Sequence, residues 1–154
     1  PLHARRDILV YQTPPLEAPL TLAGTPRCVL WIASDAPETD FFARLIEVGA
    51  DGRAFNISHG VLRTRYLEGF DRVARLVPDA PTEIAVPMLP VGIRLQPGSR
   101  LRLDITSSDF PTFDRNHNTG APFHSNAELR IARQRLFHGA VRPSRVILPV
   151  VADG

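Results

Sequence analysis

Prolines interrupt this chain at intervals too short for long helices. The sequence contains 15 prolines and 10 glycines, and a proline inside a helix removes a hydrogen bond and clashes with the preceding turn. Short apolar segments lie between these breaks, separated by turn signals such as Asp51-Gly52 and Pro97-Gly98. Closely spaced strands joined by such turns are typical of an all-β sandwich or barrel.

The clearest strand signal runs from Arg100 to Thr106. Leu101, Leu103 and Ile105 alternate there with polar residues, which is the period of a half-buried strand. Residues 27–34 are apolar on both faces, so we expect a central strand that is covered on both sides. Further strands are predicted at residues 7–13, 20–23, 40–49, 53–58, 61–67, 82–89, 128–136 and 145–151.

Two local features refine this pattern. Pro87 cannot donate to a strand ladder, so we expect it at a sheet edge or a bulge. Residues 69–77 have helical spacing, but Pro78 and Pro81 limit them to a turn or two of helix. We predict one domain over residues 1–154 with about 40% strand and a core containing Val29, Trp31, Leu45, Leu101, Leu103, Ile105 and Ile131.

Composition narrows the functional classes. The apolar fraction is 44% and the net charge +2, with arginines as the only strongly basic residues and acidic residues spread among them. A nucleic-acid-binding domain would carry a basic patch, and a membrane span would need roughly 20 apolar residues, so neither partner is expected. Cys28, the sole cysteine, lies in an apolar segment and is predicted to pack as a small core residue. A single cysteine agrees with a reducing compartment, so we expect a cytoplasmic protein. The chain begins at Pro1 without Met, so we expect an excised fragment.

Motifs that carry catalysis are missing from the sequence. It contains no Gly-x-Ser-x-Gly nucleophile elbow, no phosphate-binding glycine loop and no His-Glu-x-x-His or Cys-x-x-Cys pattern. Two constellations remain open, and no local signature supports either one. Ser107, Ser108, Asp109 and Asp114 could join a histidine in a hydrolytic triad, and His117 could share a metal with His124. We predict no catalytic residue, cofactor or metal in this chain.

The densest polar constellation is the predicted loop over residues 107–126. We expect Phe110 and Phe113 to be buried as anchors, and Arg115 to bind a carboxylate or several backbone carbonyls. Three roles are considered: a self-satisfied structural loop, a contact with another domain, and a site for a ligand or a hard ion such as calcium. The sequence favours a structural or interface loop built from Asp109, Phe110, Phe113, Asp114, Arg115, Asn116 and Asn118.

Short segments along nearly the whole chain together carry a family resemblance. They are residues 6–11, 34–41, 51–54, 60–66, 97–102, 107–111, 113–116, 118–120 and 143–149. In this order and spacing the sequence resembles the C-terminal domain of X-Pro dipeptidyl-peptidases and of cocaine-esterase-like acyl hydrolases. One departure is Gly98-Ser99, where that family often has Gly-His.

The resemblance implies a jelly-roll sandwich of the galactose-binding type. It also implies a parent serine hydrolase whose α/β-hydrolase domain lies upstream and holds the catalytic triad, with this domain packing beside it and helping to shape its active site. The alternative is a free-standing ligand- or carbohydrate-binding module, since a fold does not establish a function.

A domain that evolved beside a hydrolase is expected to retain a docking face. The segments 9–11 and 27–33 are apolar on both faces, whereas a free-standing sandwich needs one apolar face per strand. We expect one of these faces to meet the parent, unless the loop over residues 107–126 covers it. Self-association into a homo-oligomer through that face is left open.

Overall fold

The computed structural model of the protein describes residues 5–122 and 127–152. Strands make up 47% of these residues, and the remaining regular element is a short 3₁₀ turn at Thr64–Tyr66. The strands are β1 (Leu9–Gln12), β2 (Leu20–Gly24), β3 (Arg27–Ser34), β4 (Asp40–Val48), β5 (Ala54–Arg63), β6 (Thr82–Pro87), β7 (Val91–Leu95), β8 (Arg100–Thr106), β9 (Gln134–Gly139), β10 (Arg142–Pro143), β11 (Arg145–Ile147) and β12 (Val150–Val151).

The strands form antiparallel sheets. The first has the order β1-β8-β4-β5, and the second has the order β10-β9-β3-β11 with β6 on the other side of β3. A smaller third sheet has the order β12-β2-β7. Side chains from β3 and β4, such as Leu30 and Leu45, meet in one buried core. The predicted all-β sandwich is confirmed, and the finer jelly-roll, galactose-binding-like assignment stays a prediction from the resemblance.

Period-2 alternation located β8 correctly. Leu101 and Ile105 are buried in the core, Leu103 packs against it, and the polar residues between them face the other way. Strand β3 is buried on both faces as predicted, although Trp31 is only half-buried. Its backbone N–H donates to the hydroxyl of Ser144 rather than to a ladder carbonyl.

The predicted strand over residues 128–136 is largely wrong. Strand β9 begins only at Gln134, and Ile131, predicted to lie in the core, is 85% exposed. The preceding backbone is held instead by Asp35, whose carboxylate accepts from the Arg133 N–H and whose own N–H donates to the Arg133 carbonyl. These local bonds replace a ladder, so the apolar side chain of Ile131 has no sheet to pack under.

Two predicted strands, at residues 53–58 and 61–67, are in fact one. Strand β5 runs through Gly60 to Arg63 before the 3₁₀ turn. Gly60 is required there because a Cβ atom would lie 1.9 Å from the carbonyl oxygen of Pro87. Gly60 thus lets the backbone of β5 approach that of Pro87 and Met88 closely.

Prolines set the limits of the remaining strands. Pro87 is the last residue of β6, an edge strand that pairs with β3 in the described part of the chain, so the edge prediction is confirmed. The predicted strand over residues 145–151 is split by Pro149 into β11 and β12. Strand β7 was missed, since Gly92 and the flanking prolines hide its alternation. No helix forms at residues 69–77.

Candidate interface loop and its ion-pair network

The loop after β8 covers the outer face of the first sheet. Along β4, the side chains of Phe41, Ala43 and Leu45 point into the core, so alternation places Phe42 and Arg44 on the opposite face. Phe113 packs on Phe42 with ring centroids 5.3 Å apart, and Asp109 forms an ion pair with Arg44. The loop therefore buries Phe42 and makes β4 a strand that is covered on both sides.

Asp40 is the most deeply placed acidic group of this loop region. It is the first residue of β4, and its cross-strand partner is Arg63, the last residue of β5. The guanidinium donates from Nε to Oδ1 and from Nη2 to Oδ2, both at 2.9 Å, which is the bidentate geometry that arginine favours. The amide of Asn116 donates to the same Oδ1 at 2.6 Å. Asp40 is thus bound by one strand and by the loop.

Glu38, two residues earlier, gathers a second set of partners. Arg75 donates from Nη1 to Oε2 at 3.1 Å, and Nε of Arg65 lies 3.2 Å from the same oxygen. The angle at Arg65 Nε does not suit a hydrogen bond, so that contact is electrostatic. We refer to Glu38, Asp40, Arg63, Arg65, Arg75 and Asn116 together as the ion-pair network.

The network also holds the backbone of the loop. Arg63 donates to the carbonyl of Asp114 at 3.2 Å, Arg65 to that of Ala121 at 3.4 Å, and Arg75 to that of Gly120. Buried charges are costly unless they are paired and fully hydrogen bonded. The loop carbonyls accept hydrogen bonds from these arginines. Detaching the loop would therefore leave buried guanidinium groups without those partners.

Electrostatics within the network favour the charged form of Arg63. Hydrogen bonds to Asp40 raise the pKa of Arg63 above its usual value, which outweighs the opposing effect of partial burial. Three guanidinium groups face two carboxylates, so both carboxylates have a cationic partner. The arrangement is suited to fixing a loop.

Some of the predicted loop residues are buried or hydrogen bonded, and others are exposed. Asn116 is buried in the network, and Asn118 adopts a left-handed φ of 61° while its amide donates to the Arg130 carbonyl at 2.9 Å. Two expectations are wrong. Phe110 is 72% exposed, and the exposed side chain of Arg115 has no hydrogen bond or ion pair within the described residues. Phe113 is half-buried and alone serves as the aromatic anchor.

The residues that sequence reasoning missed are Glu38, Asp40, Arg63 and Arg75. A signal was present, because the acidic pair Glu38 and Asp40 directly precedes a strand whose next two residues are phenylalanines. Acidic side chains beside such an apolar strand need cationic partners once the strand is buried. The arginines that pair with them follow 23 to 37 residues later, so spacing alone does not pair them.

Two potential nucleophiles in the described chain, Cys28 and Ser107, lie in environments that do not activate them. Burial raises the pKa of the Cys28 thiol to about 12, so the thiol stays protonated at neutral pH. Ser107 donates its hydroxyl proton to Gln134 at 2.6 Å. Within residues 5–122 and 127–152, no three His, Cys, Asp or Glu side chains are placed to hold a metal ion. His124, the suggested partner of His117, lies outside the described residues.

The chain matches the model of the X-Pro dipeptidyl-peptidase C-terminal non-catalytic domain over residues 1–147. The chain belongs to this family. The X-Pro dipeptidyl-peptidase C-terminal domain described here is 35% identical to cocaine esterase of Rhodococcus sp. (strain MB1 Bresler) over 153 residues, which is 98% of this chain and 27% of that protein. The family resemblance predicted from the sequence is confirmed.

Solved structures agree with this family. The domain is similar to an aminopeptidase from a marine sediment archaeon, Thaumarchaeota archaeon, with a TM-score of 0.88, 30% identity, and coverage of 98% of this chain and 27% of that one. It is also similar to an α-amino acid ester hydrolase, with a TM-score of 0.92, 29% identity, and coverage of 97% and 26%. The chain thus spans about a quarter of the length of these relatives.

The polar groups of the loop region are bound within the domain itself. The loop is bound by the domain's own arginines, and the side chains of Ser107, Asn116 and Asn118 form hydrogen bonds within the domain. No helix among the described residues combines the length and the apolar character that a membrane span requires.

Proposed function

We propose that this domain is an accessory domain of a longer serine hydrolase and packs beside an upstream α/β-hydrolase domain that carries the catalytic triad. The observation that carries this proposal is the share of each relative's length that aligns with this chain. At least 97% of the chain aligns with hydrolases in which the aligned region is 26–27% of the whole. An α/β-hydrolase domain of the usual size fits in the remainder of such a chain.

The parent's chemistry is proposed as acyl transfer to water. Two of the relatives described above are named as ester hydrolases and the third as an aminopeptidase. Each of these reactions attacks a carbonyl carbon and benefits from an activated serine with an oxyanion hole. In this domain, by contrast, the buried carboxylates are neutralised by arginine and the thiol is protonated, which suits a structural role.

The domain's contribution is proposed to be mechanical. A loop that is tied down by the ion-pair network offers a fixed surface against which an active site can be shaped. Groups that bind substrate lose rate when they are displaced by about an ångström, so a rigid neighbour is useful to a hydrolase. The accessory domain would therefore affect turnover through positioning while contributing no reacting atom.

Three proteins test the proposal: the parent chain, the parent chain truncated before this domain, and the isolated 154-residue domain. We expect the parent to hydrolyse an aryl ester and to be labelled by a fluorophosphonate, and the isolated domain to do neither. We expect the truncated chain to lose most of its turnover and heat resistance. Turnover by the isolated domain that the fluorophosphonate abolishes would contradict the proposal, as would full turnover by the truncated chain.

A free-standing carbohydrate-binding module is the competing function. Such sites stack sugars on exposed aromatic rings, whereas Trp31 lies half-buried in the central strand β3. A glycan-binding screen of the isolated domain separates the two functions. Saturable binding to one glycan, together with an unaltered parent after truncation, would favour the module.

A further inference from the structure

One edge of the sandwich is left uncovered by the domain itself. Strand β1 lies at the edge of the first sheet and pairs with β8 alone in the described chain. All four of its residues are exposed, including Leu9 at 45%, Val10 at 37% and Tyr11 at 37%. The other strand that was predicted to be apolar on both faces, β3, is covered by the domain. Of the two candidate docking faces, only the one at β1 therefore remains exposed in the described chain.

Beside β1 the two main sheets separate into a groove of about 380 Å³. Its floor is the hydrophobic core, where Leu30 and Leu45 reach it from opposite sheets. Tyr11 and His138 stand at its rim, with ring centroids 6.1 Å apart and an interplanar angle of 70°. Other apolar side chains also line the groove, namely Leu101, Leu103, Leu136, Val146 and Leu148. We call β1 and this groove the β1 seam.

The opposite edge of the sandwich is bridged and carries charged residues. There Gly60 of β5 is bridged to Met88, which draws the two sheets together. The space beside this bridge is rimmed by charged groups, including Arg63, Glu83 and Asp114. The groove of the β1 seam is also lined by Arg102 and Arg145. Its edge strand, however, reads Leu-Val-Tyr-Gln and carries no charge or proline, two of the features by which proteins protect exposed edges. An unprotected apolar edge of this kind marks an interaction site.

We infer that the β1 seam is the surface on which the upstream hydrolase domain packs; this inference rests on the function proposed above. The relatives carry this region as 26–27% of their chains, and the family's description places it at the C-terminus. The rest of such a chain precedes the domain, and the segment that leads into β1 runs along this edge, where Asp7 accepts a hydrogen bond from Thr106. A partner tethered at this edge has a high effective concentration there.

The partner surface can be specified by its chemistry. The groove takes aliphatic or aromatic side chains, because its apolar lining consists of six leucines and Val146. The free edge of β1 takes an extended backbone that supplies the missing ladder hydrogen bonds. Burial already raises the pKa of Tyr11 in this half-open groove, and a partner would complete its desolvation. The occupant is thus an apolar segment of the upstream domain.

Hydrogen–deuterium exchange of the parent chain and of the isolated domain tests the inference. We expect peptides covering residues 7–13 and 136–148 to exchange at least about tenfold more slowly in the parent. Peptides from β5 should exchange equally in both. Equal exchange throughout would overturn the proposed function itself. Slowing confined to another surface, such as residues 66–77, would overturn this inference and leave the accessory role standing.

Two further measurements complete the test. Tyr11→Asp in the parent should abolish the slowed exchange at β1 and separate the unfolding of the two domains. Phe55→Asp, which alters an exposed ring at the other edge of the same sheet, should do neither. Sedimentation of the isolated domain as a dimer, with β1 protected in that dimer, would assign the seam to a second copy and refute the inference.

Discussion

Arg63 donates two hydrogen bonds of 2.9 Å to the carboxylate of Asp40, its cross-strand partner at the point where β4 begins and β5 ends. The same carboxylate accepts from Asn116, which lies 76 residues along the chain. One buried acidic group therefore joins the sheet to the loop that covers it.

Asp40→Asn should destabilise the domain strongly. The carboxylate is 2% exposed, and removing one partner of a buried ion pair costs about 3–5 kcal/mol because the other charge is left uncompensated. The measurement is the free energy of unfolding in urea. Asp79→Asn is the matched control, since Asp79 pairs with Arg135 at the surface and such pairs contribute less than about 1 kcal/mol. Equal effects of both variants would refute this role for Asp40.

Gly60→Ala should lower the melting temperature. The new methyl group would meet the carbonyl oxygen of Pro87 at 1.9 Å, and overpacking of this kind costs about 1–3 kcal/mol or more. Gly92→Ala in β7 provides the comparison, because a Cβ there has no neighbour within 4 Å. If calorimetry finds the two variants equally stable, the close strand contact at Gly60 is not present in solution.

Alkaline pH should destabilise the domain through Cys28. Its pKa is raised by burial from 9.0 to about 12, so the folded state holds a proton that the unfolded chain releases above pH 9. The stabilisation is complete below pH 9 and is lost as the pH rises towards 12, by about 1.4 kcal/mol per pH unit. Cys28→Ala should flatten this part of the urea-derived stability profile. An identical pH dependence in both proteins would contradict the burial of the thiol.

Asn116→Ala should loosen the loop while the sheets remain folded. The variant loses the amide that binds Asp40 and Glu38, and an unmade buried hydrogen bond costs roughly 1–3 kcal/mol. Trypsin cleavage after the exposed Arg115 should accelerate about tenfold, in line with the larger open population. Thr112→Ala, a change at an exposed position of the same loop, should leave the cleavage rate unaltered. A wild-type rate for Asn116→Ala would show that the loop is held elsewhere.

Local patterns predicted much of the fold, because strand alternation and proline placement act over a few residues. Strands β3 and β8 were located to the residue, and Pro87 was placed at an edge. Ile131 was misplaced because its segment has apolar residues but bonds to Asp35 rather than to a neighbouring strand. The alternation of apolar and polar residues does not show whether a segment pairs with a strand or bonds to a loop residue.

The ion-pair network was beyond sequence reasoning for a different reason. Asp40 and Arg63 meet only because β4 and β5 pair in one particular register, and Asn116 arrives from a distant loop. The loop was recognised as structurally important and Phe113 was correctly predicted as an anchor, but Phe110 and Arg115, predicted to be held as well, are exposed. Long-range pairing decides which polar residue is buried, and a single sequence does not specify that pairing.

The arginines of the network donate hydrogen bonds to the loop's carbonyl oxygens at Asp114, Gly120 and Ala121. Every amino acid supplies such an oxygen, so the attachments at Asp114 and Ala121 tolerate changes of side chain. Gly120 does not, because its φ is 78° and a Cβ atom there would lie 3.2 Å from Nε of Arg75. The exposed residues 110–112 lie outside these attachments and are free to diversify, much as antigen-binding loops vary on a constant framework. A hydrolase that carries this domain could acquire new contacts at the loop tip without rebuilding the sandwich beneath it.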